Sequence, residues 1–291
     1  MQSGEDEKTL RLAVHRKVSP HPRVTSIFRR YADVYAIMFR NSLIREMSFK
    51  ANFLLWMLVE VLWFMGQLVF IEVIFSYVER IGDWTKWEVV LLVGTHQLIS
   101  QIFQAFFYAN LSALPELVRT GRLDFLLLQP IDGQFAVSTK QFGLDSMINA
   151  LIGVAFIVMA LVKLAVVPTA AQIALFCTAV LLGVLIHYSI FLFLATASFW
   201  IVRAEGLIYG YYSIFNIGRY PDVIFTGAFK FVFSWIIPVI VVTNVPARLL
   251  LRTGDSAWIL LGQLLLAAAL VLVAARVYWK LSLRRYSSAS S

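Results

Sequence analysis

Between Lys163 and Arg203 the chain runs for 39 residues without an Asp, Glu, Lys or Arg. About 20 apolar residues already cross the hydrocarbon layer as a helix, so a run of this length belongs in a bilayer and must fold back on itself there. Val167-Pro168-Thr169 supplies the reversal, because proline stops or starts a helix. The rest of the chain follows the same rule: 14% of residues are charged and the mean hydropathy is +0.77, whereas soluble domains carry roughly 25% charge. Charge-free windows and the few tolerated charges place six crossings, at 52–77, 88–112, 143–166, 170–202, 222–243 and 256–280. The expected fold class is an all-α polytopic membrane protein with six transmembrane helices. The 291 residues leave no room for a further catalytic domain of about 100 to 150 residues.

The domain order expected from these windows is a flexible cytoplasmic N-terminus over 1–23, an amphipathic interfacial helix over 24–50, a six-span domain over 51–283 and a cytoplasmic tail over 284–291. Residues 1–23 mix acidic and basic side chains and lack the apolar core of a secretory signal, which places the start in the cytosol. Lys and Arg accumulate on the cytoplasmic side. With that start, 20 of the 25 basic residues fall on cytoplasmic segments, among them Arg119, Arg122 and Lys140 in one loop and Arg203, Arg219 and Lys230 in the next. Both termini are then cytoplasmic. The net charge of +8 reflects this topology and anionic headgroups rather than nucleic acid. Cys177 stands alone, which excludes an intramolecular disulfide and a thiolate metal cluster.

Two segments are neither span nor spacer. Over 24–49, Ile27, Tyr31, Val34, Tyr35, Met38 and Phe39 share one helical side and Arg29, Arg30, Asp33 and Arg40 lie elsewhere. That pattern rests in the membrane interface, as an anchor or as a lever running into span one. After span two, Pro115 suits a first helical turn, Glu116 favours its positive end and Gly121 is placed to stop it. A second piece carries Leu123, Leu126 and Leu127 before Pro130. Exposed leucine beside Arg119, Arg122 and Asp124 reads as a docking site for another protein. Further on, Tyr209, Tyr211, Tyr212, Phe215 and Tyr220 read as a headgroup-level aromatic belt or a second cytoplasmic contact, and Pro238 implies a kink in span five.

Polar side chains at membrane depth must face protein or water. Glu60 and Gln67 lie seven apart in span one, and Gln97, Gln101 and Gln104 form a stripe in span two with Tyr108. Two readings stand for these residues: hydrogen bonds between spans one and two, or the hydrophilic lining of a substrate path. The sequence has no Gly-x-x-x-x-Gly-Lys-Ser/Thr loop, no His-Glu-x-x-His pair and no Gly-x-Ser-x-Gly elbow, so catalysis is not expected of this chain.

The surface helix, the Leu114–Pro130 loop, the Tyr220-Pro221, Pro238 and Pro246 arrangement and the ending Tyr286-Ser287-Ser288-Ala289-Ser290-Ser291 together resemble permease subunits of type-2 ATP-binding-cassette exporters. The nearest likeness is to a bacterial branch encoded beside a second permease and an ATPase. The resemblance implies a multi-pass protein of the bacterial cytoplasmic membrane that dimerises, with a second copy or a related permease, over two cytosolic ATPase subunits. The partner ATPase would hold ATP and Mg, and this chain no cofactor. By position, Pro115, Glu116, Leu117, Arg119, Gly121, Leu123 and Asp124 fall in the family's coupling helix. Glu60, Gln67, Gln97, Gln101 and Gln104 fall on spans that line the family's route. A non-transporting scaffold and an ion-driven secondary transporter remain the alternatives from other classes.

Overall fold

The computed structural model describes residues 27–47, 50–201, 204–251 and 256–286. The chain divides into two compact units, 1–37 and 38–291. In the first, residues 27–37 are described and are helical; residues 1–26, including the expected flexible start, lie outside the described residues. Helix α1 covers Ile27–Met47. In the second unit its latter half is fastened at the foot of a span: the Phe142 amide donates to the Ser42 hydroxyl at 3.1 Å and the Phe39 and Phe142 rings lie 4.7 Å apart.

The architecture is all-α, as expected, apart from a two-residue hairpin of β1 (Arg80–Ile81) and β2 (Trp84–Thr85). Five continuous stretches are long and apolar enough to cross a membrane. They are α2 (Lys50–Tyr77), α3 (Lys86–Phe103) with its continuation to Arg119, α8 (Leu144–Leu164), α9 (Ala170–Thr196) and α13 (Ser256–Arg285). Their starts are written in the sequence. Thr85 opens α3 with its amide and hydroxyl both on Glu88, at 2.7 and 2.8 Å, and Thr169 opens α9 with the equivalent pair on Gln172, the reciprocal arrangement that satisfies free helix-end donors. The expected hairpin between the third and fourth spans is present, with α8 ending at Leu164 and Ala165 left-handed at φ 54°.

Helix α3 is the enclosed centre of the bundle. A side chain on Gly153 of α8 would sit 2.8 Å from the Gly94 carbonyl and 2.8 Å from the Leu98 amide. Backbone therefore meets backbone, the close approach that small residues permit between membrane helices. By contrast α2 leaves most of its apolar surface exposed, including Leu58, Leu62, Met65 and Val69.

The fifth crossing differs from the sequence reading. The segment expected to span, 222–243, is part of a bent pair: α11 (Gly227–Phe231) with its wider-turned extension to Ile236 meets α12 (Val239–Leu251) at 81°. Both arms start and end at the same side of the bundle. Lys230 near the start of the first arm pairs with Asp222 at 3.5 Å, and Arg248 near the end of the second pairs with the same Asp222 at 2.6 Å and with Asp83 beside Trp84 at 2.8 Å. The pair is thus a re-entrant hairpin whose bend, at Ile237-Pro238, lies inside the bundle. Proline forces the break and the π-type turns before it loosen the first arm.

The crossing itself is made by α10 (Glu205–Phe215) and the tighter turn Asn216–Arg219. It begins beside Trp200, whose indole donates to Ser282 late in α13 at 3.1 Å, and ends at Asp222, on the Arg248 side. Fifteen residues at 1.5 to 2.0 Å each span roughly 24 Å, and the following Tyr220–Asp222 supplies the remainder. Arg219 and Lys230 consequently do not share a loop with Arg203. The aromatic side chains divide: Tyr211 is buried against His187 and Phe191 and Phe215 is buried too, whereas Tyr209 and Tyr220 are exposed.

Candidate functional site

The fifth crossing matters because of what it turns toward α3. Glycine lets it sit tight against the hairpin: a side chain on Gly218 would lie 2.8 Å from the Val239 carbonyl, and the Thr243 hydroxyl donates to the Gly218 carbonyl. One turn away His96 of α3 is buried with its Nε2 3.1 Å from the Phe215 carbonyl. With backbone fixed on both sides, Tyr212, Asn216 and Arg219 project to the space between α2 and α3.

That space is a cleft of about 250 Å³ in which Glu60 and Trp63 of α2 face Gln97 and Gln101 of α3 and Arg219 of the fifth crossing. A second cleft of about 340 Å³ shares Glu60, Gln101 and Gln104 with it and continues to Asp145 and Asn149 at the start of α8. Together they form one polar groove along α3. Of the five residues expected on a path, Glu60, Gln97, Gln101 and Gln104 meet here. Gln67, two turns along α2, lines neither cleft.

Two of the hydrogen bonds inside the groove are long. The Gln101 amide donates to Glu60 at 3.5 Å and the Gln104 amide to Ser100 at 3.5 Å. Both readings of the stripe therefore hold in part: Glu60 and Gln101 join two spans, and the same residues face open space. Several groups reach no partner, namely Gln97 Nε2, Arg219 Nε, Gln101 Oε1 and Asn149 Oδ1, although buried polar groups are ordinarily satisfied. Among the described residues Arg219 donates to Asn216, at 2.5 Å. By contrast Glu72, nearer the end of α2, pairs with Lys86 at 2.5 Å.

A helix at membrane depth can carry a guanidinium only if protein surrounds it, and the sequence reading missed Arg219 by assigning it to a loop. The spacing Tyr212, Asn216, Arg219, which is i, i+4, i+7, was the available signal.

At the far end of α3 lies the loop expected to dock a partner. The π-type turn Gln104–Tyr108 and α4 (Ala109–Ser112) lead into α5 (Leu114–Arg119), α6 (Leu123–Leu127) and α7 (Gly133–Ser138). Pro115 occupies the first turn of α5, and Gly121 follows it at φ 68°, a backbone state that glycine takes without strain. Glu116 holds Arg119 and, at 3.3 Å, Arg122. The leucines expected to be exposed are not: Leu114, Leu123 and Leu126 are buried and Leu117 and Leu127 pack on the core. They fasten the loop to the bundle, with Asp124 in the first turn of α6. The outward apolar side chains are instead Phe125 and Leu128, 72% and 80% exposed. A helical wheel over 123–128 does not separate these from the leucines, since every position but Asp124 is apolar.

The loop is wired to two distant spans. Arg276 of α13 donates to Asp132 at 2.6 and 3.0 Å and to Gln134 at 2.6 Å, while the Gln134 amide donates to the Tyr188 hydroxyl of α9 at 2.8 Å. Asp132 also caps α7, accepting from the Gln134 and Phe135 amides. The Arg276 bond and these amides hold its carboxyl below its ordinary 3.8, against the partial burial that opposes them.

Residues 61–290 match the family described as ABC-2 family transporter protein. No curated protein matches the sequence.

Proposed function

The chain belongs to the ABC-2 family transporter proteins, multi-pass membrane components that work with an ATPase partner, and we propose that it is the permease subunit of an exporter of hydrophobic or amphipathic substrates. In this reading it lies in a bacterial cytoplasmic membrane with both termini inside. It pairs there with a second copy or a related permease above two ATPase subunits, which bind ATP and Mg. Orientation is supported by the basic residues around 1–51, Arg119, Arg122 and Lys140, which survive the reassignment of Arg219 and Lys230.

The observation that carries the proposal is the connection of an outward-facing loop to spans α9 and α13 through Asp132, Gln134, Arg276 and Tyr188. A partner that moves α5 and α6 thereby moves spans, and alternating access requires such a transmission element with different contacts in each state. Pro115, Glu116, Leu117, Arg119, Gly121, Leu123 and Asp124 shape the coupling surface. Phe125 and Leu128 form its apolar contact, with Arg119 and Arg122 beside them. The groove along α3, open beside the uncovered face of α2, is the substrate path. A scaffold would need the loop and not the groove. An ion-driven carrier would place paired acids at broken helices, whereas the broken hairpin here holds its ion pairs at its ends.

Phe125→Asp with Leu128→Asp should release the ATPase from the purified complex while the permease stays folded, because both side chains are exposed and contribute nothing to the core. Co-purification of the ATPase at the wild-type ratio would overturn the assignment.

A further inference from the structure

The two ends of the groove differ in chemistry. At the end nearer the re-entrant hairpin stand Arg219, which makes no ion pair among the described residues, and two donors without acceptors there, Arg219 Nε and Gln97 Nε2. At the other end stand the carboxylates of Glu60 and Asp145 and two acceptors without donors, Gln101 Oε1 and Asn149 Oδ1. Gln97, Gln101 and Asn149 are 7%, 2% and 4% exposed, so bulk water does not satisfy them. A buried polar atom left unpaired is costly, and here the unpaired atoms sort by sign along one cleft.

We infer that this groove binds a zwitterionic head group, with an anion at Arg219 and Gln97 and a primary ammonium at Glu60, Gln101 and Asn149. A phosphate or carboxylate suits a guanidinium, which offers several donors in one plane. The ammonium must carry N–H bonds, because a quaternary ammonium leaves the two amide oxygens as they are. Arg219 and Gln97 line only the first cleft and Asp145 and Asn149 only the second, with Glu60 between them, which fixes the order of the two charges. Trp63 and Val59, exposed apolar residues of α2, offer a surface along which an acyl chain can lie. A simple anion would meet Glu60 and Asp145, and a simple cation would meet Arg219; only a molecule carrying both charges is attracted at each end.

The inference rests on reading the groove as the substrate path, yet its test needs no ATPase, so loss of coupling and loss of binding are separate results. The purified permease in neutral detergent would be titrated calorimetrically with lauroyl lysophosphatidylethanolamine, lauroyl lysophosphatidic acid, dodecylphosphocholine and tail-free phosphoethanolamine. The first should bind at least tenfold more tightly than the second and third. Binding of phosphoethanolamine at similar strength would point to a soluble zwitterion as the source of the head group, and its failure to bind would point to a membrane lipid. Arg219→Gln should weaken the lysophosphatidylethanolamine at least tenfold. Glu60→Gln should do the same while leaving lysophosphatidic acid unchanged or tighter, a pattern that mere loosening of the bundle does not produce. Gln97→Leu and Asn149→Leu repeat the two arms without altering charge, should a charge variant fail to fold. Equal affinity for all the amphiphiles, or equal weakening of every probe by every variant, would overturn the inference.

Discussion

Arg248→Met tests the re-entrant hairpin, because Arg248 joins three segments that the alternative topology keeps apart. Its guanidinium reaches Asp83 at 2.8 Å and Asp222 at 2.6 Å and lies 4.8 Å from the centre of the Trp84 ring. The side chain is 16% exposed, Asp222 23% and Asp83 41%. Opposite charges about 4 Å apart are worth about 4 kcal/mol at an effective dielectric of 20, before desolvation. For the more enclosed Asp222 pair a net coupling of about 2 kcal/mol follows, while the exposed Asp83 pair should give about 0.5 to 1 kcal/mol. The ring contact adds roughly 0.5 kcal/mol, so the methionine variant should lose about 3 kcal/mol. Unfolding titrations in mixed micelles on the single and double variants with Asp222→Asn and Asp83→Asn read these couplings directly. Asp222→Asn in the Arg248→Met background should recover part of the loss, since it removes a half-enclosed carboxylate left with the longer Lys230 pair. Additive effects at both pairs, with neither coupling above about 0.3 kcal/mol, the usual error of additivity, would refute the shared end and with it the hairpin.

Cysteine in place of Lys230 and of Leu251 should react with an impermeant thiol reagent from the same side of the membrane, opposite to cysteine at Gly121; labelling of positions 230 and 121 from one side would restore a crossing at 222–243. Gly153→Ala should destabilise by about 1 to 3 kcal/mol despite the helix propensity it gains, because the added carbon meets the Gly94 carbonyl and the Leu98 amide. Gly262→Ala, with nothing within 4 Å, should be neutral or stabilising in the same unfolding assay. Arg276→Gln should leave ATPase binding intact and uncouple hydrolysis from transport. In the wild type the Asp132 carboxyl titrates below 3.8. Its contribution is therefore complete above that value and fades only as pH falls through the lower, folded value, so protease protection of the loop should be equal at pH 7 and pH 5.

Five crossings and the hairpin at Pro168 were legible because lipid-exposed helices must be apolar wherever they meet lipid, and α2, α8, α9 and α13 do. The fifth was not legible, and the reason is physical. Residues 205–222 include Glu205, Arg219, Asp222, three glycines and five tyrosines or phenylalanines, a composition that fails any test for a lipid-facing span. Much of the segment faces protein instead: Tyr211, Phe215 and Gly218 are buried among His187, His96 and Thr243. Conversely 227–251 passes the test without crossing, because a hairpin that dips into the bilayer needs the same apolar surface as one that spans it. Hydropathy reports the solvent of a segment and not its direction.

The same misplacement hid the charge asymmetry of the groove. With Arg219 assigned to a cytoplasmic loop, the polar stripe of α3 held only amides and the single carboxylate of Glu60, a set equally suited to bonding two spans or lining a path. Returning Arg219 to the bundle gives that stripe a cation at one end. Gln97 then keeps an unpaired N–H beside the cation, while Gln101, whose amide N–H donates to Glu60, keeps an unpaired carbonyl oxygen. Identical side chains one helical turn apart thus take opposite roles because their neighbours differ. It is the fifth crossing, the least apolar of the six, that decides what the groove can recognise.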